Sequence, residues 1–162
     1  METINNLTNP THIKIQEYLN TFNLGLKVIE FKDASTKTCE LAAEALGVEP
    51  AQIAKSLLFT AGEDAIMVIT CGDKRVNQKK LKKLVNVRKV KFADEETVLN
   101  VTGYPIGGVC PLNLKTKIKI FLDDSMNRFD KVYLAAGTPH SAIPITLEEL
   151  KEITDGEVVD LE

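Results

Sequence analysis

The chain has 162 residues, 44% of them hydrophobic and 27% charged, with 20 basic and 23 acidic side chains giving a net charge of −3. With a mean hydropathy of −0.06, this is the composition of a soluble globular protein, and the length favours one unit over a two-domain enzyme. The longest strictly apolar run, Ala65-Ile66-Met67-Val68-Ile69, is far too short to span a bilayer, which excludes a membrane protein of the helical type.

The N-terminal Met1-Glu2-Thr3-Ile4-Asn5-Asn6 lacks the basic and apolar regions of a secretory signal, so the expected compartment is the cytoplasm. There the sequons at Asn6 and Asn100 are inert. Residues 1–25 read as a helical extension, with a helix from Thr11 to Thr21, followed by a strand from Leu26 to Phe31. A second helix starts near Thr36 and stops at Gly47, and Pro50 opens a short turn that delivers Lys55 to an apolar strand, Ser56 to Thr60. A hairpin through Gly62 returns as Ala65 to Thr70. Asn77 caps a basic helix; Lys89 to Phe92 follows as a strand and Asp94 to Val101 as a helix with acids in its first turn. Ile118 to Leu122 and Lys131 to Ala135 read as strands, and Thr146 with Glu149 forms a capping box for a last helix. The irregular interleaving predicts an α+β fold, a curled mixed β-sheet with a barrel-like core surrounded by helices, spanning 1–162 as one domain.

Charge is distributed unevenly. Nine of the 20 basic residues, among them Lys79, Lys80, Lys82 and Lys83, fall between Lys74 and Lys91, a stretch without a single Asp or Glu. Such a field attracts phosphates despite the negative total, and Lys115, Lys117 and Lys119 add a second stripe at strand spacing. The competing explanation is a solvated amphipathic helix over an apolar seam of Leu81, Leu84 and Val85. Cys39, Cys71 and Cys110 are odd in number and lack C-x-x-C spacing, and His12 and His140 do not complete a zinc site with them. Neither a disulfide, a metal nor a cofactor is expected.

Two loops carry candidate chemistry. Thr102 to Pro111 holds three Gly and two Pro, and its paired Gly107 and Gly108 let a ligand approach main-chain N–H groups while Pro111 stiffens the exit. It is neither a Walker loop nor a dinucleotide fingerprint. The loop Ala136 to Ala142 includes Gly137, Thr138, His140 and Ser141, and it offers His140 as a group titrating near neutrality. Asp123 and Asp124 end a strand. Lys55 stands at the mouth of an apolar strand, where a cation is costly unless it meets an anion.

The segments Ala51-Gln52-Ile53-Ala54-Lys55-Ser56-Leu57-Leu58-Phe59, Gly107-Gly108-Val109-Cys110-Pro111 and Phe121-Leu122-Asp123-Asp124-Ser125, leading to Ala135-Ala136-Gly137, resemble the YbaK/EbsC family. That family includes the editing domain inserted in bacterial prolyl-tRNA synthetases and its freestanding relatives. The resemblance covers most of the chain from Leu26 onward. It implies hydrolysis of mischarged aminoacyl-tRNA, of a small amino acid such as Ala or Cys on tRNA(Pro), by a Gly-x-x-x-Pro backbone loop and a lysine. Carried over, Gly107 and Pro111 are the ends of that loop and Lys55 is the lysine. Asp123 and the Gly137 to Ser141 loop would bind substrate, the basic helix would hold the tRNA, and a synthetase is a second possible partner. Ser56 departs from the Asn that often follows the lysine in the prolyl branch, which leaves the preferred amino acid open. The alternatives are a non-catalytic module that grips tRNA or a synthetase, and a small-molecule hydrolase using His140 with Ser141.

Overall fold

The computed structural model describes residues 7–162; Met1–Asn6, including the segment read for a signal and the first sequon's asparagine, lies outside the described residues. The chain forms α1 (Pro10–Asn20), β1 (Ile29–Glu30), α2 (Cys39–Leu46), a 3-10 turn (Pro50–Gln52), β2 (Ala54–Ala61) and β3 (Asp64–Cys71). It continues with α3 (Gln78–Val85), β4 (Val90–Phe92), α4 (Glu95–Thr102), β5 (Lys119–Asp123) and a second 3-10 turn (Asp124–Arg128). Strands β6 (Val132–Leu134) and β7 (Ser141–Ile145), α5 (Leu147–Thr154) and β8 (Glu157–Val159) complete it. No helix among the described residues is long and apolar enough to cross a membrane.

The strands make two sheets, one in the order β4-β2-β3-β5-β8 and one in the order β1-β7-β6. The β2–β3 hairpin is antiparallel, whereas β5 pairs parallel with both β3 and β8, so the larger sheet is mixed. The sheets touch through one parallel bridge between Ile53 and Tyr133 and stay open, so the barrel-like closure expected from the sequence does not occur.

Period-two alternation in the central hairpin separates two apolar clusters. Ala54, Leu58, Met67, Ile69 and Cys71 face the main core with α1, α4 and the smaller sheet. Phe59, Ala61, Ile66 and Val68 face the other way, onto Leu81 of α3, Val90, Phe121 and Leu161. The basic helix is therefore amphipathic as expected, and it covers the sheet face opposite the main core.

Several elements differ from the sequence reading, which also left out β8. The strand expected over Leu26 to Phe31 shrinks to Ile29–Glu30 because the buried Gln16 side chain takes the place of a neighbouring strand. Its amide donates to Leu26 O at 2.8 Å and its oxygen accepts from Val28 N at 2.8 Å. Strand β7 was hidden by Pro144, a residue that ordinarily demotes a strand. It is tolerated because β1 pairs only with Ser141 and Ala142, leaving β6 as the one neighbour at Pro144. Of the lysine stripe, Lys119 alone lies in β5; Lys115 and Lys117 lie in the loop before it.

Candidate functional site

Strand β4 pairs with Phe59–Ala61 only. The first half of β2 consequently has an open edge, and a cavity of about 370 Å³ lies along it. Its walls come from Ala54, Ser56 and Leu58 of β2, from the start of α2, from the ends of β6 and β7, and from Ile106, Gly107 and Val109 of the glycine loop. The lining is mainly aliphatic, so the few polar groups in it stand out.

Lys55 lines this cavity, half-buried, and among the described residues it has no ion-pair partner. Its charge reaches Cys39 at the first turn of α2: burial pushes the Cys39 thiol up, and the Lys55 ammonium pulls it partly back. Beside Lys55, the Ser56 hydroxyl is buried in the cavity wall with no hydrogen-bond partner among the described residues. A buried hydroxyl without a partner costs about 1–3 kcal/mol, so this is a polar group awaiting one.

The glycine loop divides into two roles. Gly107 lines the cavity at φ +95°, and a Cβ there would lie 2.8 Å from Lys37 Cγ. Gly108 lies behind the lining, where a Cβ would come within 2.7 Å of both Thr138 Cα and Thr138 N. Its N–H donates to Pro105 O at 3.0 Å, so that amide closes a turn and is not free for a ligand. Among the residues of the loop that line the cavity, Ile106, Gly107 and Val109 have main-chain N–H groups with no partner among the described residues. Pro111 is buried outside the lining, where Tyr104 Oη donates to Leu112 O at 2.5 Å and fixes the loop exit. Burial there pushes the Cys110 thiol up to about 12.

The second predicted loop is a support for the first. Gly137 packs against Thr11 and Tyr104, and Thr138 lies under Gly108; neither lines the cavity. Ser141 does line it, but its Oγ donates to Thr138 O at 2.8 Å and accepts from Ala136 N at 2.8 Å. His140 is exposed, with Nδ1 3.0 Å from Ala34 O, and does not meet the Ser141 hydroxyl. The His140–Ser141 hydrolase therefore lacks its nucleophile–base contact.

A histidine that the sequence reading left aside holds this support. His12, buried on α1, places Nδ1 2.6 Å from Glu30 Oε2 and Nε2 2.5 Å from Thr138 Oγ1. Glu30 also accepts from Thr8 N, Thr8 Oγ1 and Asn9 N at 2.8–2.9 Å. Burial alone would raise the Glu30 carboxyl; the hydrogen bonds from Asn9, Thr8 and His12 outweigh it and bring the pKa down to about 2. The signal in the sequence was the helical spacing of His12 with Ile15, Gln16 and Leu19, the buried stripe of α1.

Asp123 lies elsewhere. It is buried, and its carboxylate accepts from Thr70 Oγ1, Ser125 N, Ser125 Oγ and Leu161 N, so it pins strands and does not face the cavity. Asp123, Asp124 and Asp160 have oxygens within 4.8 Å of one another, yet those bonds already occupy Asp123, which makes the group a poor metal centre. On α3, Lys80 lies 3.6 Å from Asp160, and nearby Lys74 lies 2.7 Å from Glu162, so C-terminal acids neutralise part of the basic field. Lys79 and Lys83 are exposed and Lys82 is partly so.

Comparison with known proteins places this geometry. The chain is 36% identical over 145 residues to the uncharacterised protein YwhH of Bacillus subtilis, covering 89% of this chain and 91% of that protein. It is 32% identical over 138 residues to a proline–tRNA ligase of Bacillus licheniformis, covering 79% of this chain but 24% of the ligase, so it corresponds to about a quarter of that enzyme. A crystal structure described as a candidate trans-editing enzyme for prolyl-tRNA synthetase superposes with a TM-score of 0.88 at 34% identity, over 96% of this chain and 99% of the other. The sequence profile of the aminoacyl-tRNA editing domain matches residues 33–153, a span that contains Lys55, the glycine loop and the whole cavity lining. The chain belongs to the aminoacyl-tRNA editing domain family.

Proposed function

We propose that the protein hydrolyses mischarged aminoacyl-tRNA in trans, removing a small amino acid such as Ala or Cys from tRNA(Pro). The observation that carries this reading is the meeting, in one mainly apolar cavity, of Lys55 and the main-chain N–H groups of Gly107 and Val109, none of which has a partner among the described residues. An aminoacyl ester is already activated, so positioning and oxyanion stabilisation suffice to cleave it. The Gly107 and Val109 N–H groups would receive the ester carbonyl oxygen as negative charge develops on it. A water oxygen bonds to the carbonyl carbon and gives up its protons to solvent, the bond to the ribose oxygen breaks, and that oxygen takes a proton from solvent. Free amino acid and intact tRNA result. Lys55 would bind the phosphate or ribose of the terminal adenosine, and its ammonium is the cation the apolar surroundings leave in need of an anion. Gly108, Thr138, Pro111 and Ser141 support the loop and do not act on substrate. The small cavity suits a second sieve, needed because one methylene is worth only about 1–3 kcal/mol in a synthetase pocket.

The test is loss of ester from Ala-tRNA(Pro) and Cys-tRNA(Pro), with a panel of other mischarged tRNAs as controls. Lys55→Ala should slow deacylation at least tenfold. Full activity in Lys55→Ala removes the lysine from the mechanism, and tRNA binding without any ester loss replaces the enzyme with a non-catalytic binding module.

A further inference from the structure

The basic helix covers one face of the larger sheet, and the cavity runs along the open edge of β2. Leu81 of α3 packs with Phe59, Ala61, Ile66 and Val68, whereas the cavity is lined by residues of both faces at that edge, Ala54, Ser56 and Leu58 on one and Lys55 and Leu57 on the other. A polyanion that touches both must round the edge of the sheet, and the edge strand between them is β4. That strand and its approach carry Lys89 and Lys91, both exposed, and end at Phe92 on the rim of the cavity.

Phe92 is 56% exposed, an unusual position for a large aromatic side chain. Its inner face stacks on the fully buried Phe59 ring with centroids 4.6 Å apart and planes at 27°, which fixes its orientation. The outer face is free, and Ile106, 48% exposed, stands on the rim of the same cavity. Lys91 alternates to the other side of β4 from Phe92, so a strand crossing this edge meets cations on one side and a rigid flat apolar face on the other, the two elements of a single-stranded nucleic-acid platform. A protein partner would be drawn to the apolar rim, but the flanking cations favour a polyanion.

We propose that Phe92 is a stacking platform for an unpaired base at the 3′ end of tRNA, with Lys89 and Lys91 on the adjoining phosphates, so that the strand passes over β4 into the cavity. This rests on the proposed activity for the identity of the nucleic acid, and its test is kept separate from that activity. The chain has no Trp, so Phe92→Trp supplies a single fluorescent reporter at the platform. Titration with the uncharged RNA tetranucleotide ACCA should quench that fluorescence saturably. With a labelled copy of the same RNA, anisotropy should show binding weakened about tenfold or more in Phe92→Ala, retained in Phe92→Tyr and not rescued by Phe92→Leu. Unchanged affinity in Phe92→Ala overturns the proposal, and so does full affinity in Phe92→Leu, which would show that apolar bulk without a π-face is enough. A wild-type protein that binds the tetranucleotide through Phe92 yet cleaves no ester upholds the platform and overturns the activity. Deacylation that persists in full in Phe92→Ala does the reverse.

Discussion

Glu30 fastens α1 to the rest of the molecule, and replacing it tests whether that fastening works through charge. In Glu30→Gln the side chain keeps its shape but loses the ionised acceptor shared by Thr8, Asn9 and His12. A carboxyl lowered from 4.5 to about 2 on folding corresponds to roughly 3 kcal/mol of stability above pH 4.5. With the side chain 11% exposed, solvent screening reduces this to about 2 kcal/mol. For a chain of this length that is a fall in Tm of about 4–8 °C at pH 7. Because the folded pKa is depressed, the contribution is complete above pH 4.5 and fades as pH falls toward 2. The Tm gap between wild type and Glu30→Gln, followed by circular dichroism, should therefore shrink to less than half at pH 3. A gap of equal size at pH 7 and pH 3 would refute the electrostatic account and leave only shape.

Gly108→Ala should destabilise the fold and abolish deacylation, since its Cβ meets the Thr138 backbone at 2.7 Å and backbone cannot swing aside; thermal melts and ester-loss assays read both. Ser141→Ala should cost about 1–3 kcal/mol by orphaning Ala136 N, whereas His140→Ala should leave Tm and activity within error, because it is exposed and outside the cavity lining. Ser56→Ala should leave the Tm of the free protein unchanged or raise it, since its hydroxyl has no partner to lose, while altering the ratio of rates on alanyl and cysteinyl substrates. Replacing Lys79 and Lys83 together with Ala should reduce the slope of log affinity against log salt for tRNA by up to about two.

Much of the fold could be read locally. Caps at Asn77 and Thr146 are made by the side chains expected to make them, Asp94, read as the first helical residue, is itself a cap, and the β2–β3 hairpin forms where it was expected. What escaped the sequence were substitutions of one kind of partner for another, such as the Gln16 amide standing in for a strand and β1 ending before Pro144. The site divided in the same way. Lys55 and Gly107 are marked by residue type, a cation beside apolar residues and a glycine in a Pro-flanked loop, and they line one cavity. Gly108 is fixed by the Thr138 backbone thirty positions on, and the Ser141 hydroxyl is occupied by Thr138 O and Ala136 N within its own loop, so residue type suggested chemistry where contact gives packing. His12 is the counterpart: its spacing announced burial, but its link to Thr138 crosses 126 positions.

The Leu161 main chain is held at both of its polar groups, its N–H by the Asp123 carboxylate at 2.8 Å and its carbonyl by Asn77 N at 2.7 Å. Asn77 is the cap of α3, so the seat of this helix is completed only by a residue more than eighty positions further along the chain. During synthesis α3 would leave the ribosome well before this anchor exists, and the apolar cluster of Leu81, Val68 and Phe121 would lack Leu161 until then. Truncations that remove Leu161 therefore act on the lysine-bearing helix, even though more than seventy residues separate the two along the chain.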